Sequence, residues 1–252
     1  MTMDPVVQLK DIVVTYAAGP FKGGTGFDAV RKVSLDIGAG ETVGLVGESG
    51  SGKTTLGRVC LGLLKPTRGA MLFGGEPFGS LRERRGQLSV VLQQPEWALN
   101  PRIRCGRSIE EPLLVLGRPA SDRRDRVKAI LDSVGLDSSF AERYPGQLSG
   151  GQRQRVAIAR ALITEPRFIL FDEAVSALDV SVQAQVLNLI LDLQQRHGFG
   201  ALFISHDLAA TRYVCRRIAV MYKGELVEVA PSERFYGTPE HPYSRNLLSA
   251  VA

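Results

Sequence analysis

Residues 47–55 read GESGSGKTT, and the rest of the chain is best read outward from them. Gly47, Gly52, Lys53 and Thr54 satisfy the spacing G-x-x-x-x-G-K-[ST], in which glycines keep side chains away from backbone N–H groups that converge on a polyphosphate. Lys53 adds a point charge for the β- and γ-phosphates, and the Thr54 hydroxyl offers a magnesium ligand. With glycine at about 7% of residues, the four fixed positions should coincide in about one chain in a hundred of this length. The flanks agree with the motif. Thr42 to Val46 is a short apolar run entering Gly47, and helix formers run from Thr54 to Leu64, giving the strand, loop, helix order that such a loop requires.

Upstream, Val13 with Thr15, then Val33, Leu35 and Ile37, alternate as half-buried strands do, around the glycine-rich loop AAGPFKGGTG. This predicts an antiparallel β start. Downstream, the character turns helical from Pro95 to about Glu165. In SDRRDRVKAILDSVGL, Val127, Ile130, Leu131 and Val134 fall at helical spacing, with Ser121 placed as N-cap. RFILF (167–171) and ALFIS (201–205) read as short buried strands separated by a helix around Val182 to Gln195, the rhythm of a parallel sheet. RIAVMYKGELVEVA predicts a hairpin turning at Lys223-Gly224, followed by a short tail.

Composition bounds the function classes. The chain has 252 residues, 44% hydrophobic and 23% charged, which is enough for a proper core. A net charge of +5 is mild: it reads as a solvated surface with a few extra arginines before a nucleic-acid footprint, leaves weak affinity for an anionic membrane surface open, and decides nothing alone. Cys60, Cys105 and Cys215 are scattered and odd in number, so they indicate neither a disulfide framework nor a zinc or iron–sulfur site, and a reducing compartment is expected. His197, His206 and His241 are equally far apart. No segment approaches the roughly 18 apolar residues of a membrane span, so the protein is not expected to be a pore itself.

A second anion-binding start lies at 148–162, LSGGQRQRVAIARAL, where Ser149-Gly150-Gly151-Gln152 precedes a run of helix formers. FILFDE then ends a strand in Asp172-Glu173. One carboxylate there can hold magnesium through water, and the next can orient and polarise the water that attacks a γ-phosphate. Taken alone, an acidic pair after a strand is better read as a solvated turn or a helix N-terminal charge; Lys53 and Thr54 tip the balance to chemistry. Because Glu173 is a glutamate, the prediction is a hydrolase and not a nucleotide switch. His206, in FISHDL, can report the γ-phosphate by hydrogen bonding, and Gln93, in VVLQQP, can complete a metal shell through its amide oxygen.

The ordered set GESGSGKTT, LSGGQ, ILFDE, SALD and SHD resembles the ATP-binding subunit of ABC transporters over nearly the whole chain. The resemblance implies an α/β fold: a RecA-like P-loop NTPase core (1–94 and 166–230), with an N-terminal antiparallel β subdomain, an inserted α-helical subdomain (95–165) and a C-terminal tail (231–252), all one ABC ATPase domain. It implies ATP and Mg2+ as ligands. Gly47, Glu48, Ser49, Gly50, Ser51, Gly52, Lys53, Thr54 and Thr55 become the Walker A loop. Asp172 and Glu173 become the Walker B pair, with Glu173 the base. Gln93 is the Q-loop residue and His206 the switch histidine, and Thr54, Gln93 and Asp172 form the metal set. Tyr16 resembles the aromatic residue that stacks on adenine, though from the residue alone a cross-strand aromatic pair is equally compatible. In the family, two cassettes sandwich ATP head to tail. Leu148, Ser149, Gly150, Gly151 and Gln152, with Asp179 of the D-loop (176–179), would then close over a partner's nucleotide.

Finer likeness lies in LQQPEWALNPR, DEAVSALDVSVQAQVLNLILDLQ and EHPYSRNLLSAV, which resemble the ATPase subunits of the peptide and nickel uptake group of bacterial importers. That implies a second, usually different, ATPase subunit, two membrane permeases, an extracytoplasmic substrate-binding protein, and a peripheral place on the cytoplasmic face of the inner membrane. Gln94 and Trp97 depart from the group's pattern beside the Q-loop. A non-transport ABC ATPase in a nucleic-acid, ribosome or phosphonate-metabolism complex is the alternative. The cargo, whether peptide, nickel complex, opine or oligosaccharide, stays open.

Overall fold

The computed structural model describes residues 5–17, 26–95 and 98–249. Trp97 lies outside them, as does most of the loop AAGPFKGGTG. The chain divides into two compact units, residues 1–83 with 200–252, and residues 84–199; the helical stretch 95–165 falls within the second.

In the first unit, β1 (Pro5–Tyr16) and β2 (Phe27–Gly38) form the expected antiparallel pair. Strand β1 also pairs antiparallel with β4 (Arg68–Phe73), which turns into β5 (Glu76–Pro77), for an order β2-β1-β4-β5. Strand β1 slips register against β2 at four places, so its alternation is irregular. Its register with β2 shifts between Leu9 and Ile12, where Asp11 takes a φ of 48°, so one residue bulges and inward-facing positions resume at Ile12. The other sheet elements of this unit surround β3 (Thr42–Val46), which is buried at every residue and runs parallel to β8 (Gly200–Ile204) and β9 (Arg217–Tyr222). Burial on both faces is why these strands read as continuous apolar runs. Strand β10 (Glu225–Pro231) returns antiparallel to β9 through the turn at Lys223-Gly224, whose φ values of 46° and 88° give the tight hairpin anticipated there.

Helix α1 (Lys53–Cys60) follows the glycine loop but stops short of the expected Leu64. Gly62 adopts a φ of 67°, its N–H donates to the Val59 carbonyl at 2.8 Å, and the Leu63 N–H donates to that of Arg58 at 2.9 Å, which closes the helix end. Only glycine fits there, since a Cβ would stand 2.2 Å from the Phe78 ring. The unit also holds α6 (Leu208–Val214), α7 (Ser232–Gly237) and α8 (Pro242–Ser249).

In the second unit, β6 (Leu88–Leu92) and β7 (Phe168–Asp172) are parallel neighbours. They accompany α2 (Cys105–Val115), α3 (Ala120–Ser133), α4 (Gly150–Leu162) and α5 (Val180–His197). Val127, Ile130 and Leu131 are buried on α3 as their spacing requires. Ser121 is not its N-cap. The helix begins two residues earlier than that cap would place it, at Ala120, with Pro119 in the cap position and its carbonyl accepting the Arg123 N–H at 3.0 Å; proline's fixed φ makes it a ready lead-in.

All three cysteines are free and buried. Burial pushes the Cys60 thiol up to about 12 and the Cys215 thiol higher still, so both stay protonated and unreactive. Among the described residues, no helix is long and apolar enough to cross a membrane.

Candidate functional site

The glycine loop leaves the carboxyl end of β3, and its course depends on three left-handed glycines. Gly47, Gly50 and Gly52 have φ of 146°, 79° and 109°. A Cβ at Gly47 would lie 2.1 Å from the Met221 carbonyl oxygen, and one at Gly52 2.3 Å from that of Ala29. At Gly50 a Cβ would meet nothing within 4 Å, so there the backbone conformation alone demands glycine and the loop stays uncovered. The buried Lys53 turns its ammonium back into this loop, donating to the carbonyls of Gly47 at 2.7 Å and Glu48 at 2.8 Å. Glu48, Ser49, Gly50 and Thr54 are exposed, whereas Ser51 is buried with its hydroxyl unpaired.

Two further predicted residues of the first unit sit beside this loop. The register Leu45↔Ile204 sets the carboxyl ends of β3 and β8 side by side, so the loop and His206 leave the sheet at the same edge. His206 is exposed, in a turn secured by Asp207, which caps α6 by accepting the Ala210 N–H at 3.0 Å and donates its own N–H to the Ser205 hydroxyl at 3.0 Å. Tyr16, at the end of β1, lies opposite Phe27 in the ladder and is 41% exposed; its hydroxyl is 3.4 Å from that of Thr55. The ladder makes Tyr16 a cross-strand neighbour of Phe27, and its hydroxyl contact sets it beside the start of α1.

In the second unit the register Leu92↔Asp172 brings the ends of β6 and β7 together, so Gln93 follows one strand where Asp172 and Glu173 close the other. Glu173 has a φ of 52°, a left-handed conformation uncommon for a non-glycine residue. Its carbonyl accepts from the Ser176 N–H at 3.1 Å and the Ser176 hydroxyl at 2.9 Å, which holds the turn. The Ser149–Gln152 start of α4 is built as a capping box. Ser149 accepts the Gln152 N–H at 3.3 Å, and the Gln152 side chain accepts the Ser149 N–H at 3.0 Å. Leu148 is buried behind it. Gly150 has only Leu178 near, 3.8 Å from where a Cβ would be, while a Cβ on Gly151 would stand 2.5 Å from Val182 Cγ1. Gly151 thus lets α4 approach the first turn of α5, whose N-cap is the exposed Asp179. Gln94, beside Gln93, is exposed.

The family model described as ABC transporter matches residues 30–176. The chain belongs to the ABC transporter family. A protein of Brucella abortus (strain 2308), provisionally named as a peptide import ATP-binding protein, is 48% identical to this cassette over 98% of this chain and 77% of its own. A second of the same name, from Brucella ovis, is 50% identical over 100% of this chain and 80% of its own. Among solved structures, the ATP-binding cassette MJ0796, a dimer bound to ADP and Pi, aligns with a TM-score of 0.77 at 32% identity over 90% of this chain and 98% of that one. CbiO1 of Clostridium perfringens shares the fold, with a TM-score of 0.83 at 23% identity over 93% and 92%.

Sequence reasoning missed two supports of the loop, and one backbone feature of the second unit. The hairpin turn clamps it: the Gly224 N–H donates to the Ser51 carbonyl at 2.9 Å, and the Gly224 carbonyl accepts the Arg31 N–H at 2.7 Å. The left-handed Glu173 carries no sequence signal, because glutamate rarely adopts that conformation. The second support, Tyr243, comes from the tail, where the HPY triplet was the available hint.

Proposed function

We propose that this cassette is the ATP-hydrolysing subunit of a bacterial importer for peptides or related small solutes. The observation that carries the ATPase reading is the Lys53 ammonium lodged in a loop whose Gly47 and Gly52 admit no side chain. The relatives named for peptide import, at 48% and 50% identity, support the importer reading.

In the reaction, the loop amides and Lys53 hold the β- and γ-phosphates of ATP. The Glu173 carboxylate takes a proton from water as the water oxygen bonds to the γ-phosphorus; the bond from phosphorus to the bridging oxygen breaks and its electron pair leaves with ADP. His206 hydrogen-bonds the γ-phosphate side, and Tyr16 stacks on adenine. Magnesium, when bound with the nucleotide, supplies charge neutralisation at the phosphate oxygens. The donors fit it. Thr54 offers an exposed hydroxyl, and Gln93 with Asp172 an amide and a carboxylate oxygen on adjoining strand ends, the hard oxygen set of an ion that arrives on phosphate.

The residues Leu148 to Gln152 and Asp179 serve a partner's nucleotide, so hydrolysis follows closure of two cassettes. The partner is a second ATPase subunit, alongside two permeases and an extracytoplasmic binding protein, with this chain peripheral on the cytoplasmic face of the inner membrane. Tyr16→Ala is expected to weaken ATP binding about three- to tenfold and Tyr16→Phe to leave it unchanged, read by titration with a fluorescent ATP analogue. An equal loss in both variants would remove the stacking role. The importer reading is tested by tagging the protein in its own cell and extracting membranes gently. Two permeases and a second ATPase should co-purify; recovery with ribosomes, nucleic acid or a metabolic complex would overturn it.

A further inference from the structure

We propose that Tyr243, in the C-terminal EHPY segment, is a positioning residue for the phosphate loop, and that docking of this tail and nucleotide binding strengthen one another. The inference rests on the reading of Gly47 to Thr55 as the phosphate loop.

The Tyr243 hydroxyl accepts the backbone N–H of Glu48 at 3.0 Å, across 195 residues of sequence. Burial is the first cause that raises the Tyr243 phenol above its ordinary pKa, so the group stays a neutral hydroxyl. The ring is fixed from two sides. It packs on Tyr222 with centroids 4.2 Å apart and planes 32° from parallel, and Tyr222 carries the Lys223 ammonium 5.0 Å from its own centroid. Tyr222 and Lys223 lead directly into Gly224, which holds Ser51. One module, hairpin turn plus tail, therefore grips the loop at Glu48 and again at Ser51.

The tail is held in place by a buried charge. Glu228 on β10 is 7% exposed, and its two carboxylate oxygens accept the N–H groups of Glu240 at 2.9 Å and His241 at 3.0 Å. His241 Nδ1 accepts the Tyr243 N–H at 3.1 Å, which sets the tyrosine at the start of α8. Arg245 donates to the Glu240 carbonyl at 2.9 Å, and Arg234 pairs with the Glu240 side chain. A surface helix with no task does not need a buried carboxylate to dock it, because leaving such a group even partly unsatisfied is costly. The chemistry that results is preorganisation. An exposed glycine-rich loop loses conformational entropy when it closes on phosphate, and fixing Glu48 beforehand reduces that loss. By linkage, nucleotide that orders the loop must also stabilise the docked tail.

The test uses the purified full chain and MANT-ATP with magnesium. Tyr243→Phe keeps the ring stack and removes the hydroxyl; it is expected to weaken binding about fivefold, the worth of one neutral hydrogen bond. Tyr236→Phe, which loses a hydroxyl bonded to the Leu208 carbonyl and Thr211 in the same unit, should bind as the wild type does. Glu228→Gln, which releases the tail by another route, should weaken binding in the same direction. In wild type, nucleotide should slow amide hydrogen exchange across 239–249, and in Tyr243→Phe it should not. In steady-state hydrolysis the effect should fall on KM for ATP and leave kcat in place. Wild-type affinity in Tyr243→Phe, or tail exchange indifferent to nucleotide in the wild type, would overturn this inference alone. Lys53→Ala is the separate control: undiminished binding there would overturn the phosphate-loop reading, and this inference with it.

Discussion

Glu173→Gln is expected to bind ATP as tightly as the wild type and to lose multiple turnover by about a hundredfold or more. The substitution keeps the size and the hydrogen-bonding reach of the side chain while removing its ability to accept a proton. The backbone argues for the same result. Glu173 is held at a φ of 52° by two donations from Ser176 to its carbonyl, neither of which involves the side chain, so the amide inherits the same placement. A left-handed glutamate costs on the order of 1–3 kcal/mol, a cost sustained here at the end of β7, next to Asp172 and across from Gln93. The measurement is paired: equilibrium binding of MANT-ATP, and phosphate release in the assembled transporter. Loss of both would make Glu173 a structural residue, and retention of both would move the base elsewhere.

The motifs legible in the sequence were those where chemistry forces residue type and spacing together. Glycines 47 and 52 are required by close approach of the Met221 and Ala29 carbonyls, so the loop announces itself. The parallel strands read as apolar runs because they are buried on both faces, and the Lys223-Gly224 turn because a two-residue hairpin needs positive φ. Boundaries were less legible. The end of α1 depends on Gly62 meeting Phe78, a contact with β4–β5 sequence far downstream, and the start of α3 on proline outcompeting a serine two residues on. The tail illustrates the hardest class. Tyr243 gains its place only when Glu228, Tyr222 and Glu48 are brought together by the fold, and nothing in the local pattern PEHPYSRN encodes those distances. Gly151 carries a double meaning of the same kind: within LSGGQ it reads as an exposed amide for an anion, and in the fold it is also the contact that admits Val182.

That difference between the two signature glycines gives the second large prediction. Gly150→Asp should fold as well as the wild type, bind ATP on its own Walker A loop, and lose turnover in the assembled transporter by at least about a hundredfold. A Cβ at Gly150 would make only an ordinary 3.8 Å contact with Leu178, and its φ is not in the left-handed region. An aspartate there is even favourable to the isolated chain, because the first turn of α4 holds no acidic residue and a carboxylate at a helix N-terminus stabilises it by about 0.3–1 kcal/mol. A stabilising acid is thus absent where the helix alone would welcome one, which is the pattern expected if that N-terminus receives another chain's phosphate. The new carboxylate would repel it. Gly151→Ala is the contrast, since its methyl would stand 2.5 Å from Val182 Cγ1 and should lower the unfolding temperature before it touches any nucleotide. Thermal unfolding, MANT-ATP binding and turnover, measured on both variants, separate the two effects. If Gly150→Asp turns over normally with its melting temperature intact, the α4 N-terminus serves no partner, and the head-to-tail assembly is the part of the reading that falls.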